Sequence, residues 1–369
     1  MAVLCGATVF DDALEGDLTM AAGRFEGLLV GMAVGDSLGL PCSGWSRQRV
    51  GRYVKKLSRH HRPVAAWGLC GDSTECAWMA ALALLARADD ASSFAETLAW
   101  RLRVWSLMLP IGSEFTTVKA GIRSLLGMSP GRSGGDSAGG ALARALVIGA
   151  FFARRPERIR EMVRASTQLT HTDVDVEESA WVIAIAAACT MRYRDRFACI
   201  RMFFDTVLTS GVNEELAEAL VLIRDETRKN TKLSDIIDQL GSAGGVGRHV
   251  RHIVPAVIAI WLCHFGNYRA AVENSIGLGG ITDVSAALAG GLAGITCGRM
   301  EIPSEWIARV IEWPASVAWM SALAMQLENR SNDIAAQSPR FFWPALPLRN
   351  LVFLCVRLTY RCRRSLPLW

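Results

Sequence analysis

The stretch Gly277–Gly298, GLGGITDVSAALAGGLAGITCG, decides how the rest of the chain is read. Gly279 and Gly280 form a tight turn, Thr282 and Asp283 a short polar element, and a helix-length run of Ala, Gly, Leu and Val follows. Side chains this small let a second helix approach closely, so this helix is expected at the centre of the fold. Asp283, in its first turn, lies in the positive field of the helix N-terminus, where a carboxylate either holds a cation or caps the helix.

A matching helix stands near the other end of the chain. Arg24–Leu40 (RFEGLLVGMAVGDSLGL) is apolar, with Gly27, Gly31 and Gly35 spaced four apart on one smooth face, and it ends in the polar stretch Gly35–Gly39 followed by Pro41. Gly71-Asp72-Ser73-Thr74-Glu75 opens the apolar run from Ala77, with several candidate caps. These polar helix starts are expected to meet at one point. Three further loops resemble them in character. The glycine-rich 129–144 segment (SPGRSGGDSAGGALAR) leads into a helix from about Leu142, and Thr170-His171-Thr172-Asp173 precedes a helix over Glu177–Met191. Gly241–Gly247 runs into His249, His252 and a helix over Ile253–His264. Strand signals are nearly absent, so the reading is an all-α, compact, single-domain multi-helix bundle with its polar loops on one side.

Composition narrows the function classes. Forty basic against thirty-five acidic residues give a net charge of +5, too small an excess over 369 residues to mark a nucleic-acid surface. The basic segment 46–64 reads as an exposed loop or short helix. None of the ten cysteines forms a C-x-x-C pair and several sit in apolar runs, so they are read as reduced core thiols in a cytoplasmic protein. Uninterrupted apolar runs fall well short of the roughly 20 residues a bilayer span requires, so no transmembrane segment is expected. Residues 1–23 read as an N-terminal extension, 24–340 as the main domain, and 341–369 as a C-terminal helix packed on it, with a membrane-surface or partner-binding tail as the alternative.

In this order, the five loops resemble the ADP-ribosylglycohydrolase family, over the chain from about Arg24 onward. The resemblance rests on Gly35-Asp36-Ser37-Leu38-Gly39, Asp72-Ser73-Thr74-Glu75, Ser137–Arg144 with Gly149, Thr170–Asp173, and Gly279-Gly280-Ile281-Thr282-Asp283. It implies an all-helical fold with two divalent metals, usually magnesium, between two loops. One loop supplies a Ser or Thr and two adjacent aspartates; the other supplies an Asp-x-Asp-Thr segment. Such metals orient the distal ribose and the attacking water for cleavage of the glycosidic bond to an ADP-ribosylated side chain. The implied ligand-holding residues are Asp36, Ser113, Gly140, His171, Thr172, Asp173, Gly247 and His249.

Carried across position by position, the metal set is depleted. Gly71 stands where the hydroxyl ligand belongs, Asp72 matches, Ser73 replaces the second aspartate, Ile281 replaces an aspartate, Asp283 matches, and Val284 replaces the threonine. Ser43 stands where an acidic residue is usual. Two dications sharing two carboxylates leave about two positive charges unneutralised, at a cost of several kcal/mol in a partly desolvated pocket. The expectation is one weakly held magnesium at most, on Asp72, Ser73 and Asp283, with Asp72 and Asp283 as the catalytic candidates. Glu75 and Glu114 are candidate substitutes, with the alternative that Glu75, in its helical register, points elsewhere. Two functions stand side by side: a hydrolase releasing ADP-ribose, or a catalytically impaired relative that binds ADP-ribose or an ADP-ribosylated protein. A scaffold with a collapsed pocket is the third.

Overall fold

A computed structural model describes residues 23–52, 68–108, 110, 115–126, 128 and 138–365. In chain order the helices are α1 (Arg24–Gly39), α2 (Asp72–Arg87), α3 (Ala91–Leu107), α4 (Phe115–Leu125), α5 (Gly139–Phe151), α6 (Ile159–Thr167), α7 (Val174–Arg192) and α8 (Arg196–Leu208). They continue as α9 (Glu214–Arg228), α10 (Leu233–Gln239), α11 (Val250–Cys263), α12 (Tyr268–Gly277), α13 (Thr282–Cys297), α14 (Ser304–Ile307), α15 (Val317–Ser331) and α16 (Leu346–Ser365). Among the described residues no strand forms, and only isolated bridges pair extended backbone. The all-α expectation therefore holds.

Three helices start earlier than their apolar runs suggest. Gly139 and Gly140 lie inside the first turn of α5, and α7 and α11 begin directly after Asp173 and His249. Polar and glycine residues, which read as loop, here occupy the first turns, whose N–H groups have no partner within the helix.

Antiparallel packing of α1 against α13 forms the centre. A Cβ on Gly35 would lie 2.0 Å from the Ala286 carbonyl oxygen, and one on Gly39 2.2 Å from that of Thr282. The relation is reciprocal, since a Cβ on Gly294 would lie 2.0 Å from the Gly27 oxygen. Helix backbones thus touch directly, along a register that pairs 27 with 294, 31 with 290, 35 with 286 and 39 with 282. Hydroxyls pin the contact, with Tyr268 donating to the Gly31 carbonyl at 2.7 Å and Thr282 Oγ1 to the Gly39 carbonyl at 2.7 Å. Around this pair, α2, α5, α7 and α11 bury alanine, valine, leucine and isoleucine in one continuous core.

Among the described residues one helix, running on as Arg24–Cys42, is long and apolar enough to cross a bilayer. Gly, Asp and Ser intersperse it, and 94% of it is buried inside the fold against α13. No described cysteine is in a disulfide, and Cys42, Cys70, Cys76, Cys189 and Cys199 are buried. Burial pushes the Cys42 and Cys199 thiols up to about 12, so they remain protonated core residues.

Replacing Gly35 by alanine should destabilise the protein by about 1–3 kcal/mol or more, since the added carbon meets backbone rather than a movable side chain. Gly277→Ala, where a Cβ meets open space, should be neutral or slightly stabilising. Urea denaturation of the two variants checks the contrast.

Candidate functional site

The antiparallel contact sets the C-terminal end of α1 beside the first turn of α13, and α2 begins at the same place. The N-cap position of α2 is Gly71, which has no side chain to offer. Asp36 of α1 supplies the missing acceptor: its Oδ2 receives the Thr74 N–H at 3.1 Å and the Thr74 hydroxyl at 2.6 Å. Asp36 is only 1% exposed, and its Oδ1 has no hydrogen-bond partner. Its carboxyl is pushed up to about 8 by burial above all, with the Thr74 hydrogen bond opposing and the charges of Asp283 and Asp72 adding to the rise. Asp72 and Asp283 therefore each lie within electrostatic reach of Asp36. Asp72 is buried, whereas Asp283 is half-buried and its Oδ1 accepts from the Ser43 hydroxyl at 2.8 Å.

Backbone knots hold the neighbouring loops. Gly280 N–H donates to the Trp45 carbonyl at 2.7 Å, Val246 N–H to Gly279 at 3.1 Å, and Ile281 N–H to Val246 at 3.1 Å. Gly280, at φ +80°, permits this because a Cβ there would sit 2.0 Å from the Val246 oxygen. The 242–247 loop is thereby tied to the start of α13, and Gly247 packs against the ring of His252.

His171 and Gly140 are joined through a buried arginine. Arg144, one turn after Gly140, donates to Ser166 Oγ at 3.0 Å and to Thr170 Oγ1 at 2.7 Å, and Thr170 Oγ1 lies 2.8 Å from His171 Nδ1. The same guanidinium reaches Cys76 Sγ, in the second turn of α2, at 3.8 Å. His171 is buried, Thr172 exposed and Asp173 half-buried. Asp173 sits at the N-cap position of α7, but its side chain makes no cap hydrogen bond. His249 does cap, its Nδ1 accepting from Arg251 N–H at 3.2 Å. Arg251 pairs in turn with Asp175 at 3.0 Å and with Glu215 at 2.7 Å, which sets the His249 loop beside the start of α7. Ser113 and Glu114 lie outside the described residues.

The starts of α2 and α13 thus lie at the C-terminal end of α1, and the ADP-ribosylglycohydrolase family model matches residues 18–336 of the chain. The chain belongs to the ADP-ribosylglycohydrolase family. It is 24% identical over 294 residues, covering 77% of its own length and 90% of the relative, to an uncharacterized protein of Archaeoglobus fulgidus. A solved structure described as an ADP-ribosylglycohydrolase-related protein complex shares the fold, with a TM-score of 0.60 and 21% identity over 84% of this chain and 98% of the other.

The donor set does not fit the two-metal centre of the family pattern. Ile281 and Val284, flanking Asp283, are buried apolar side chains, and neither offers an oxygen. At Gly71 a Cβ would lie 2.8 Å from Asp36 Oδ1, so Asp36 fills the space a hydroxyl side chain requires. Among the described residues, no three His, Cys, Asp or Glu side chains converge as a metal-ligand group.

Glu75 is engaged elsewhere, the alternative that its helical register left open. It is buried in the second half of the first turn of α2 and turned toward Arg349, whose Nη1 lies 3.1 Å from its Oε1, while Trp105 Nε1 donates to its Oε2 at 2.8 Å. Arg349 also binds Glu312 through Nε at 2.8 Å and Nη2 at 2.7 Å, and donates to the Cys70 carbonyl at 2.6 Å. Burial raises Glu75 to about 7 although Arg349 pulls it the other way. A buried arginine far along the chain was not legible as the partner of Glu75, because nothing in local spacing links residues so distant. Arg144 carried a weak signal, as a lone charge inside the apolar run of α5.

Arg349→Met should cost about 3–5 kcal/mol by stranding two buried carboxylates, and adding Glu75→Gln with Glu312→Gln should recover part of the loss in thermal melts. For Asp36, the folded value of about 8 exceeds the ordinary 3.8, so the folded state keeps a proton that the unfolded state releases. Its contribution is full below the ordinary value and is lost as pH rises through about 8. In the presence of a chelator, Asp36→Asn should flatten the fall in stability between about pH 4 and about pH 8, as measured by urea titrations across that range.

Proposed function

We propose that this chain binds ADP-ribose, free or carried on a partner protein, in the cleft between Asp36, Asp72, His171, His249 and Asp283, without the two-metal hydrolysis its family pattern implies. The observation that carries this reading is the environment of Asp283: one carboxylate oxygen is engaged by Ser43, and buried Ile281 and Val284 occupy the flanking ligand positions. Binding needs less than catalysis, because hydroxyls and phosphates are recognised by hydrogen bonds and helix N-termini that require no cation.

The roles divide by chemistry. Asp72 and Asp283 accept hydrogen bonds from ribose hydroxyls. Asp36, protonated near neutral pH, can donate as well as accept. The first turn of α5 at Gly140 brings backbone close to a pyrophosphate, which Gly247 approaches from the opposite loop. His171 is a buried, oriented hydrogen-bonding ring, and the half-buried His249 offers a face on which adenine stacks. Thr172 and Asp173 edge the cleft, and Ser113 is assigned to the ligand by family position alone. The modest net charge supports a small-molecule or protein partner rather than nucleic acid, and the buried free thiols accord with a reducing, cytoplasmic setting.

Calorimetry with ADP-ribose in chelator should show binding, and single-turnover assays on ADP-ribosyl-arginine and ADP-ribosyl-serine peptides with magnesium should show no release. Magnesium-dependent release would replace this reading with that of a hydrolase using one ion, and absence of both would leave a scaffold. A restoration variant, Ser73→Asp with Ile281→Asp and Val284→Thr, should raise magnesium affinity at least tenfold, or about 1.4 kcal/mol, in the same calorimeter.

A further inference from the structure

The C-terminal helix α16 carries an apolar face that the fold holds outward. Its inner side is fixed by the buried Arg349 between Glu75 and Glu312, by Asn350 Nδ2 donating to the Met108 carbonyl at 2.7 Å, and by Phe353, buried against Leu40 and Leu69. With that side locked, the helix cannot roll. The opposite side presents Leu348, Leu351, Val352 and Leu358, exposed by 60%, 55%, 40% and 48%. Cys355 and Cys362 are exposed on the same stripe, which follows helical spacing of three and four residues. Leu107, 60% exposed at the end of α3, adjoins through the Asn350 contact with its neighbour Met108.

Charge chooses the occupant of this face. Between Ile334 and Trp369 the sequence holds six arginines and no aspartate, glutamate or lysine. Of these, Arg349 is neutralised within the fold, while Arg357 lies partly exposed beside Phe353, 5.7 Å from the ring. Pairing with the same helix of a second copy would gather arginines with no carboxylate on either α16 to answer them. A surface that is apolar a few ångströms down and negative at its edge answers both features at once.

We propose that α16 lies in the plane of an anionic lipid bilayer, with Leu348, Leu351, Val352, Cys355 and Leu358 in the headgroup and acyl boundary and the exposed Arg340 and partly exposed Arg357 at the phosphates. The protein is then a peripheral one, its helix lying on the membrane rather than crossing it, and its ligand cleft is carried by the same rigid body.

The test is flotation of the full chain with phosphatidylcholine vesicles and with vesicles that also contain phosphatidylserine. The expected result is binding to the second kind only, weakening as salt is raised. Leu351→Ser with Leu358→Ser keeps every charge and touches only exposed positions, so urea melts should be unchanged while partitioning falls roughly a hundredfold. Failure of the native chain to float at low salt would overturn the proposal, as would equal binding by the double variant. Light scattering without lipid that shows a dimer, converted to monomer by the double variant, would instead assign the face to a second copy.

Discussion

Direct contact between the backbones of α1 and α13 is the constraint on which everything else depends. Helices that meet through carbonyl oxygens and glycine Cα atoms have almost no freedom to slide, because each ridge is a fixed backbone atom and not a flexible side chain. Four contacts in one register, 27 with 294 through 39 with 282, hold two segments far apart in sequence with an accuracy that ordinary leucine packing does not reach. Since the helices are antiparallel, the C-terminal end of one lies at the N-terminal end of the other. Asp36 and Asp283 are neighbours for that reason.

Electrostatic consequences follow from that proximity. Asp36, the deepest of the three, feels the charges of Asp283 and Asp72 on top of its burial, and its carboxyl is pushed up. Its carboxyl is also the cap of α2, so this residue is part of the framework as well. A family pattern that spreads two dications over such carboxylates would cancel the repulsion. Here the neighbouring positions are apolar, and protonation of Asp36 with a hydroxyl from Ser43 on Asp283 does the same work by other means. Site chemistry and fold stability are consequently linked through one side chain.

Around the second buried charge cluster the logic is different. Arg349 with Glu312 and Glu75 joins the C-terminal helix to the body at a point shielded from water, so the gain lies in orientation more than in net stability. The guanidinium fork bonds in a fixed plane, and the helix carrying it takes a fixed rotation. A hydrophobic contact alone would let the apolar outer stripe of α16 turn inward.

How much could be read in advance varied with the range of the interaction. Helical class, the glycine stripe at 27, 31 and 35, and the central place of the helix after Gly280 were all legible, because small residues at helical spacing are local patterns with one physical meaning. The order of loop motifs added the family. Tertiary structure alone decided that Asp36 caps α2, that Ser43 engages Asp283, that Glu75 turns away to Arg349, and that Arg144 supports His171. Each of these joins a side chain to a partner from another helix, through hydrogen bonds whose direction depends on where the backbones come to rest. Spacing along a chain carries no record of that.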